Sequence, residues 1–454
     1  MIHMVKYFFI FISLAMVSCS TSSDKEYTYF GGKIINPKGE YVILYNNGDE
    51  VIDSLHLNKD NTFSSKLQNL KSGLYCFKHG TEYQYVFLEP KDSLLIRLNT
   101  WDFDESLVFS GKNAIRNNVL IEAFLENELQ NKQFYKYYNL NAKDFKSKVD
   151  SLKRTKDEYI KNYATKNNEE SEVFLDVLKI ALNYPLYTKL ESFVIDNSLK
   201  KTPEDLNINA FTKHRETASI DSDSLMFYAP YRNYVYSNLY SDVYQKKIKD
   251  DSDDFTIALL NVIDTKIKSP ELRNKLLKET TIRHFYKKSS CGINKKAYET
   301  YVSLSTDPAD KEEISSLLND VKHISKNREI PDFNLSSHDG AIEKITDVIK
   351  NKNAVIYFRN KQYSSDNWVA SRMNYLINNH PNIKFLVVNI DADKYKHVKD
   401  LNIEHQYYLH EKSNAHQFLT SKYPRMILVN DKGIVINGFC ALSSKKIEKQ
   451  ISDL

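Results

Sequence analysis

Cysteine is scarce. The 454 residues hold four, at positions 19, 76, 291 and 440, and nothing in their spacing suggests a metal site. Cys19 closes an N-terminal apolar segment, so the body keeps Cys76, Cys291 and Cys440. That number is odd, so an oxidising compartment would leave at least one thiol unpaired within the chain. Basic blocks are missing too. Lys plus Arg number 63 against 59 Asp plus Glu, and the lysines are spread along the chain. With no zinc or RNA-binding signature, a nucleic-acid partner is not expected. The N-terminal apolar run, Tyr7 to Val17, has eleven residues, short of the about 20 that span a bilayer. The acidic stretches Asp221-Ser222-Asp223 and Asp250 to Asp254 lack the glycine and distal glutamate of a calcium loop, and read as solvated loops or helix starts. His405, His410 and His416 have no metal-site spacing and read as surface histidines. No metal or other cofactor is expected.

What is present suits a multidomain globular chain. Apolar residues make up 41% and charged residues 27%, enough for substantial cores under a solvated surface. At about 150 residues per domain, the length implies roughly three domains. The 31 tyrosines suit both amphipathic contact surfaces and ordinary helix packing.

Residues 1–18 read as a secretory signal, with Lys6 as the positive start and Tyr7–Val17 as its apolar core. Leu14-Ala15-Met16-Val17-Ser18-Cys19 resembles a bacterial lipobox, with Met16 an imperfect fit. The resemblance implies lipidation at Cys19, with 19–26 as a polar tether; a plain cleaved signal is the alternative. Several acyl chains would anchor the protein to a membrane stably, where one binds only marginally. No Asp follows Cys19, and by resemblance to lipoprotein sorting rules this implies the outer membrane of a cell envelope, on its periplasmic or surface face.

Residues 27–112 carry short β-branched and aromatic runs separated by turn signals at Asn36-Pro37-Lys38-Gly39, Asn46-Asn47-Gly48 and Lys59-Asp60-Asn61. Their rhythm predicts a small antiparallel β-sandwich. Cys76, between Tyr75 and Phe77 in one such run, reads as a buried small hydrophobe. Residues 113–326 turn helical. Ile121, Phe124, Leu125 and Leu129 mark one helix face, and further helices are expected near 145–164, 172–182, 231–249, 255–267, 270–287 and 309–322. Thr306 or Asp307 before Pro308 is a credible helix start. Tyr236, Tyr240 and Tyr244 read as helix packing rather than a ligand stripe. Cys291, in a lysine-flanked loop, reads as a bystander or bridging thiol.

Residues 327–454 predict an α/β domain. A strand at Ala354–Phe358, a loop and helix, a strand at Phe385–Ile390, and a proline-led strand from Pro424 with the turn Asp431-Lys432-Gly433 follow the order of a thioredoxin fold. Ile330-Pro331-Asp332-Phe333 resembles the opening of TlpA-like thiol-disulfide oxidoreductase domains. Phe30-Gly31-Gly32-Lys33-Ile34, Leu88 to Leu94 and Phe109 to Asn113 resemble the β-domain that often precedes them in Gram-negative lipoproteins. The resemblance places Cys-X-X-Cys at Tyr363 and Asp366, so both cysteines are absent. It also puts Tyr357 where a buried acid commonly assists proton transfer, Arg359 where an aromatic is usual, Pro424 where a cis-proline faces the site, and Cys440 beside the active-site surface, although Cys440 reads as a packed or incidental cysteine rather than a redox thiol. Asp391-Ala392-Asp393 reads as a turn rather than a catalytic dyad.

Thiol–disulfide exchange needs a thiolate and a resolving thiol held together, which Tyr363, Ser364, Ser365 and Asp366 cannot supply. The expectation is a lipid-anchored, redox-inactive thioredoxin-like protein that binds a peptide or protein beside Tyr363–Asp366 and Pro424. One alternative is an unconventional thiol-disulfide oxidoreductase using Cys440. Another is a structural envelope interaction module.

Overall fold

The computed structural model describes residues 27–47, 50–200, 206–250, 252–287, 295–390, 398, 401, 405–410, 412–421 and 423–454. The leader with Cys19, Cys291 and the Asp391–Asp393 turn lie outside the described residues. The chain forms two compact units, Met1–Ser241 and Asp242–Leu454. The helical stretch expected over 113–326 is therefore shared between them. No helix among the described residues is long and apolar enough to cross a membrane.

The first unit opens with eight strands: β1 Tyr27–Ile35, β2 Tyr41–Tyr45, β3 Val51–His56, β4 Thr62–Gln68, β5 Gly73–His79, β6 Glu82–Leu88, β7 Ser93–Asn99 and β8 Val108–Lys112. They form two four-stranded sheets, ordered β4-β1-β7-β8 and β3-β2-β5-β6. Period-two burial explains the pairing: Phe63, Ser65 and Leu67 of β4 point inward while their neighbours are exposed or half-buried. Phe30, Ile34, Leu94 and Ile96 from one sheet share a core with Val42, Leu44 and Phe77 from the other. The antiparallel expectation fails at one pair, because β1 and β7 run parallel with Phe30 opposite Leu94. Parallel neighbours require a crossover, and the strands between them provide it. Cys76 is half-buried rather than buried, since alternation along β5 turns Tyr75 and Phe77 inward and Cys76 to the other face.

The residues singled out in this region have structural roles. A Cβ on Gly32 would lie 2.1 Å from the carbonyl oxygen of Ile96, so close packing of β1 on β7 requires glycine there. Asn113 Nδ2 donates to Asp92 Oδ1 at 2.6 Å, and Asp92 Oδ2 accepts from the Glu89 amide at 2.9 Å, which ties the two later motifs together.

Three long helices follow: α1 Ala114–Tyr137, α2 Ala142–Lys166 and α3 Glu172–Ser198. Leu129, expected on the buried face of α1, is 60% exposed while Ile121 is buried. At 100° per residue it sits about 80° round from Ile121, at the rim of the stripe. Helix α3 runs well past the expected stop at Leu182, with Pro185 inside it. Proline forfeits one intrahelical bond, but Leu186, Leu190, Phe193 and Val194 beyond it are buried in one cluster, and that burial outweighs the loss. After the short α4, Ile208–Thr212, comes α5, Ala229–Tyr244. On α5, Tyr236, Tyr240 and Tyr244 are half-buried beside the buried row Tyr234, Val235, Asn238 and Leu239, as packing tyrosines are.

The second unit contains α6 Asp253–Lys266, α7 Pro270–Lys287, α8 Lys295–Leu304 and α9 Pro308–His323. Ser252 caps α6 by accepting from the Phe255 amide, so this end of the acidic run is a helix start. Asp307 caps α9 with Pro308 in its first turn. Then come β9 Asn334–Ser336, β10 Ile342–Lys344, α10 Ile345–Val348, β11 Ala354–Arg359, α11 Asp366–Asn379, β12 Lys384–Asn389, β13 Gln406–Leu409, β14 Arg425–Val429, β15 Val435–Cys440 and α12 Ile447–Ser452. The sheet order is β10-β9-β13-β12-β11-β14-β15. Strand β11 is parallel to β12 and antiparallel to β14, and every one of its residues is buried. Ala354, Ile356 and Phe358 enter one core while Val355 and Tyr357 enter another, with Val369, Met373 and Leu376 of α11. Cover on both faces is why this strand reads as a continuous apolar run.

Strand β15 packs closely on the segment that follows α9. A Cβ on Gly438 would lie 1.9 Å from the carbonyl oxygen of Ile324, and backbone cannot yield cheaply. Gly438→Ala is therefore expected to destabilise the protein by about 2 kcal/mol or more, measured as a lower urea midpoint with unchanged slope.

Candidate functional site

The β11–α11 junction, where the resemblance implies the paired cysteines would lie, is built around charge pairs. Ser365 is the N-cap of α11, its Oγ accepting from the Trp368 amide at 3.4 Å. Asp366 opens the helix, where a carboxylate is favoured by the helix dipole. It pairs with Arg359 at the end of β11. The Arg359 side chain is 2% exposed and also donates to Asn389 Oδ1 on β12 at 3.1 Å. Arg359 thus joins two parallel strands to the head of α11.

Among the described residues neither serine is bonded to a base that could activate it. Ser364 Oγ lies 3.4 Å from the Tyr357 hydroxyl. Burial pushes the Tyr357 phenol above its usual range, so at neutral pH it is neutral and does not replace a buried acid that cycles a proton. Ser365 is engaged in capping. Tyr363 is 46% exposed in the loop before the helix, its ring 5.2 Å from that of Tyr423.

Residue 424 is proline as expected, but no peptide bond among the described residues is cis. The cis geometry implied by resemblance is thus corrected to trans, the form that X–Pro bonds ordinarily favour by about 0.5–1 kcal/mol. The Pro424 carbonyl accepts from the Tyr286 hydroxyl at 2.9 Å, so a side chain of α7 occupies that backbone acceptor. Burial raises the Tyr286 phenol pKa and keeps it a donor. Beside it, Tyr423 is buried and bonded to Glu313 of α9; burial first, then that carboxylate, hold its phenol far above the usual range. Glu313 also pairs with Lys278, which reaches Asp310 at 2.7 Å. Burial opposes the Lys278 charge, but these two carboxylates win and raise its pKa.

The next residue, Arg425, is 2% exposed at its side chain and pairs with Asp320 of α9, itself 1% exposed, at 2.8 Å. Asp320 Oδ1 accepts from the amide and hydroxyl of Thr420 at 2.7 and 2.8 Å, and Oδ2 from the Ser421 amide at 2.8 Å. The Arg425 guanidinium lies 5.9 and 5.7 Å from the ring centroids of Phe358 and Phe439. Sequence reasoning missed this pair. Its signal was a charged residue leading an otherwise apolar strand, although the partner, 105 residues upstream, could not be inferred.

Cys440 is packed in the core, as expected, and not at the site surface that the resemblance implied. It is 0% exposed, paired in register with Met426 and packed among Leu428, Leu442 and Ile447. Neither Cys76 nor Cys440 is in a disulfide. The imidazole of His416 bonds the backbone carbonyl of His410, 3.0 Å away.

Strand order, the β11–α11–β12 unit and the β14–β15 hairpin define a thioredoxin-like domain. No family model matches the chain, and no curated protein does. Among solved structures, it is similar to a thioredoxin-like protein from Bacteroides caccae, 12% identical over 59% of this chain and 93% of that one, with TM-score 0.32. It is also similar to the thioredoxin domain of a thiol-disulfide oxidoreductase from Bacteroides vulgatus, 17% identical over 28% of this chain and 98% of that one, TM-score 0.23. A thiol:disulfide interchange protein from Bacteroides sp. is 14% identical over 29% and 91%, TM-score 0.24.

Removing one partner of the Arg425–Asp320 pair leaves a buried charge uncompensated. Asp320→Ala is expected to cost about 3–5 kcal/mol in denaturant unfolding, and Asp320→Leu combined with Arg425→Met much less than that.

Proposed function

We propose that this chain is a lipid-anchored envelope protein whose thioredoxin-like domain binds a peptide or protein segment without exchanging disulfides. The observation that carries this reading is the occupation of the reactive position: the head of α11 carries a capping serine and an arginine-paired carboxylate instead of thiols. Cys440, buried in the core, offers no accessible thiolate, so the thiol-enzyme reading gains no support from its position.

The binding face suggested by the geometry differs from a groove at Pro424, whose carbonyl already has an internal partner. Next to Tyr363, α11 exposes Trp368 and Tyr375, 43% and 46% accessible, seven residues apart and hence on one face. Arg372 lies between them in sequence, its guanidinium 5.3 Å from the Tyr375 ring centroid. Exposed Trp and Tyr beside a half-buried Arg are the residue types that anchor protein contacts.

Two outcomes test this. The protein should not accelerate dithiothreitol-driven insulin reduction, and robust acceleration would end the reading. Peptides selected on the intact protein from a displayed library should lose at least about tenfold in affinity on Trp368→Ala, with circular dichroism unchanged; peptides indifferent to Trp368 and Tyr363 would also count against it.

The anchor rests on the lipobox resemblance at Cys19. The expressed protein should partition into the detergent phase of Triton X-114, and Cys19→Ser should move it to the aqueous phase. Equal partitioning of both forms would remove the anchor.

A further inference from the structure

The first unit encloses a cavity of about 400 Å³ between β6, α1, α3 and the start of α5. That volume lies within the range of small-molecule sites, about 300–1,000 Å³. Its walls are mixed. Phe103, Phe124 and Tyr228 give it an apolar, largely aromatic lining, and Asn127, Asn131 and Lys189 form a polar patch on α1 and α3.

Lys189 is the unusual member. It is 6% exposed, and its ammonium donates to Asn131 Oδ1 at 2.8 Å and Asn127 Oδ1 at 3.3 Å. It also lies 4.9 Å from the centroid of the Phe134 ring. Among the described residues no carboxylate pairs with it. A buried ammonium is ordinarily matched by an anion, and the charge that bears on this one is another cation, Lys156. Lys156 has its own partner, Glu126 at 3.1 Å. Burial, then Lys156, pull the Lys189 pKa down to about 8, so the ammonium form still dominates at neutral pH. Two of its three N–H donors meet the asparagines, which leaves one for a ligand.

Asp104 and the exposed Glu82 also line the cavity. Asp104 accepts from Gln84 Nε2 at 2.8 Å, and burial with neighbouring Glu128, Glu105 and Glu82 raises its pKa, which lessens its repulsion of an anion. We propose that this cavity binds a small amphipathic carboxylate, its anionic group on Lys189, Asn127 and Asn131 and its apolar body against Phe103, Phe124 and Tyr228.

The test is calorimetric titration of the full chain with 3-phenylpropionate, its uncharged amide and 2-phenylethylamine. The acid should bind at least tenfold tighter than the amide, and the amine most weakly. Lys189→Met should erase the preference for acid over amide, and Phe124→Trp, which narrows the cavity, should weaken the acid. The proposal falls if acid and amide bind alike, if the amine binds best, if Lys189→Met leaves the acid's affinity unchanged, or if the acid shows no binding at millimolar concentration. The acid-to-amide comparison on the unaltered protein stands whether or not either variant folds.

Discussion

Two arginines sit inside the C-terminal sheet, and a guanidinium cannot shed its charge when buried. Each must therefore find a carboxylate, and the search sets much of the surrounding arrangement. Arg425, leading β14, draws in Asp320 and so holds α9 against the sheet. Arg359, ending β11, takes Asp366 and Asn389 and so fixes the head of α11. Phe358 and Arg425 are opposite one another on adjacent strands, which brings the two charge centres to the same end of the sheet. That end also carries the β11–α11 junction.

The consequence is chemical as well as structural. Asp366 is paired with a buried guanidinium, and Ser365 caps the helix. Tyr286 and the Lys278–Glu313–Tyr423 chain extend the same logic, since α7 and α9 contribute side chains where an open groove would leave acceptors bare. The helices before the sheet are thus part of the site, not only a connection to it.

Much of the fold was legible because it depends on local patterns. The apolar run Ala354–Phe358, the cap at Asp307-Pro308, helix 270–287 and strand Tyr41–Tyr45 follow from periodicity and terminus signals, which act over a few residues. The errors come from longer range. The helix expected to stop at Leu182 is carried to Ser198 by neighbouring burial. Alternation along β5 left Cys76 half-exposed, and the parallel β1–β7 pairing joins segments more than sixty residues apart.

The sequence by itself determined that Tyr363, Ser364, Ser365 and Asp366 carry no thiol, and hence that this stretch has no reagents for paired-thiol chemistry. Residue identity suffices for that conclusion, because a missing sulfur cannot be restored by folding. Tertiary structure alone decided what took over the space. The partners of Arg425 and Tyr286 are separated from them by 105 and 138 residues, and only chain folding brings such groups within hydrogen-bonding distance.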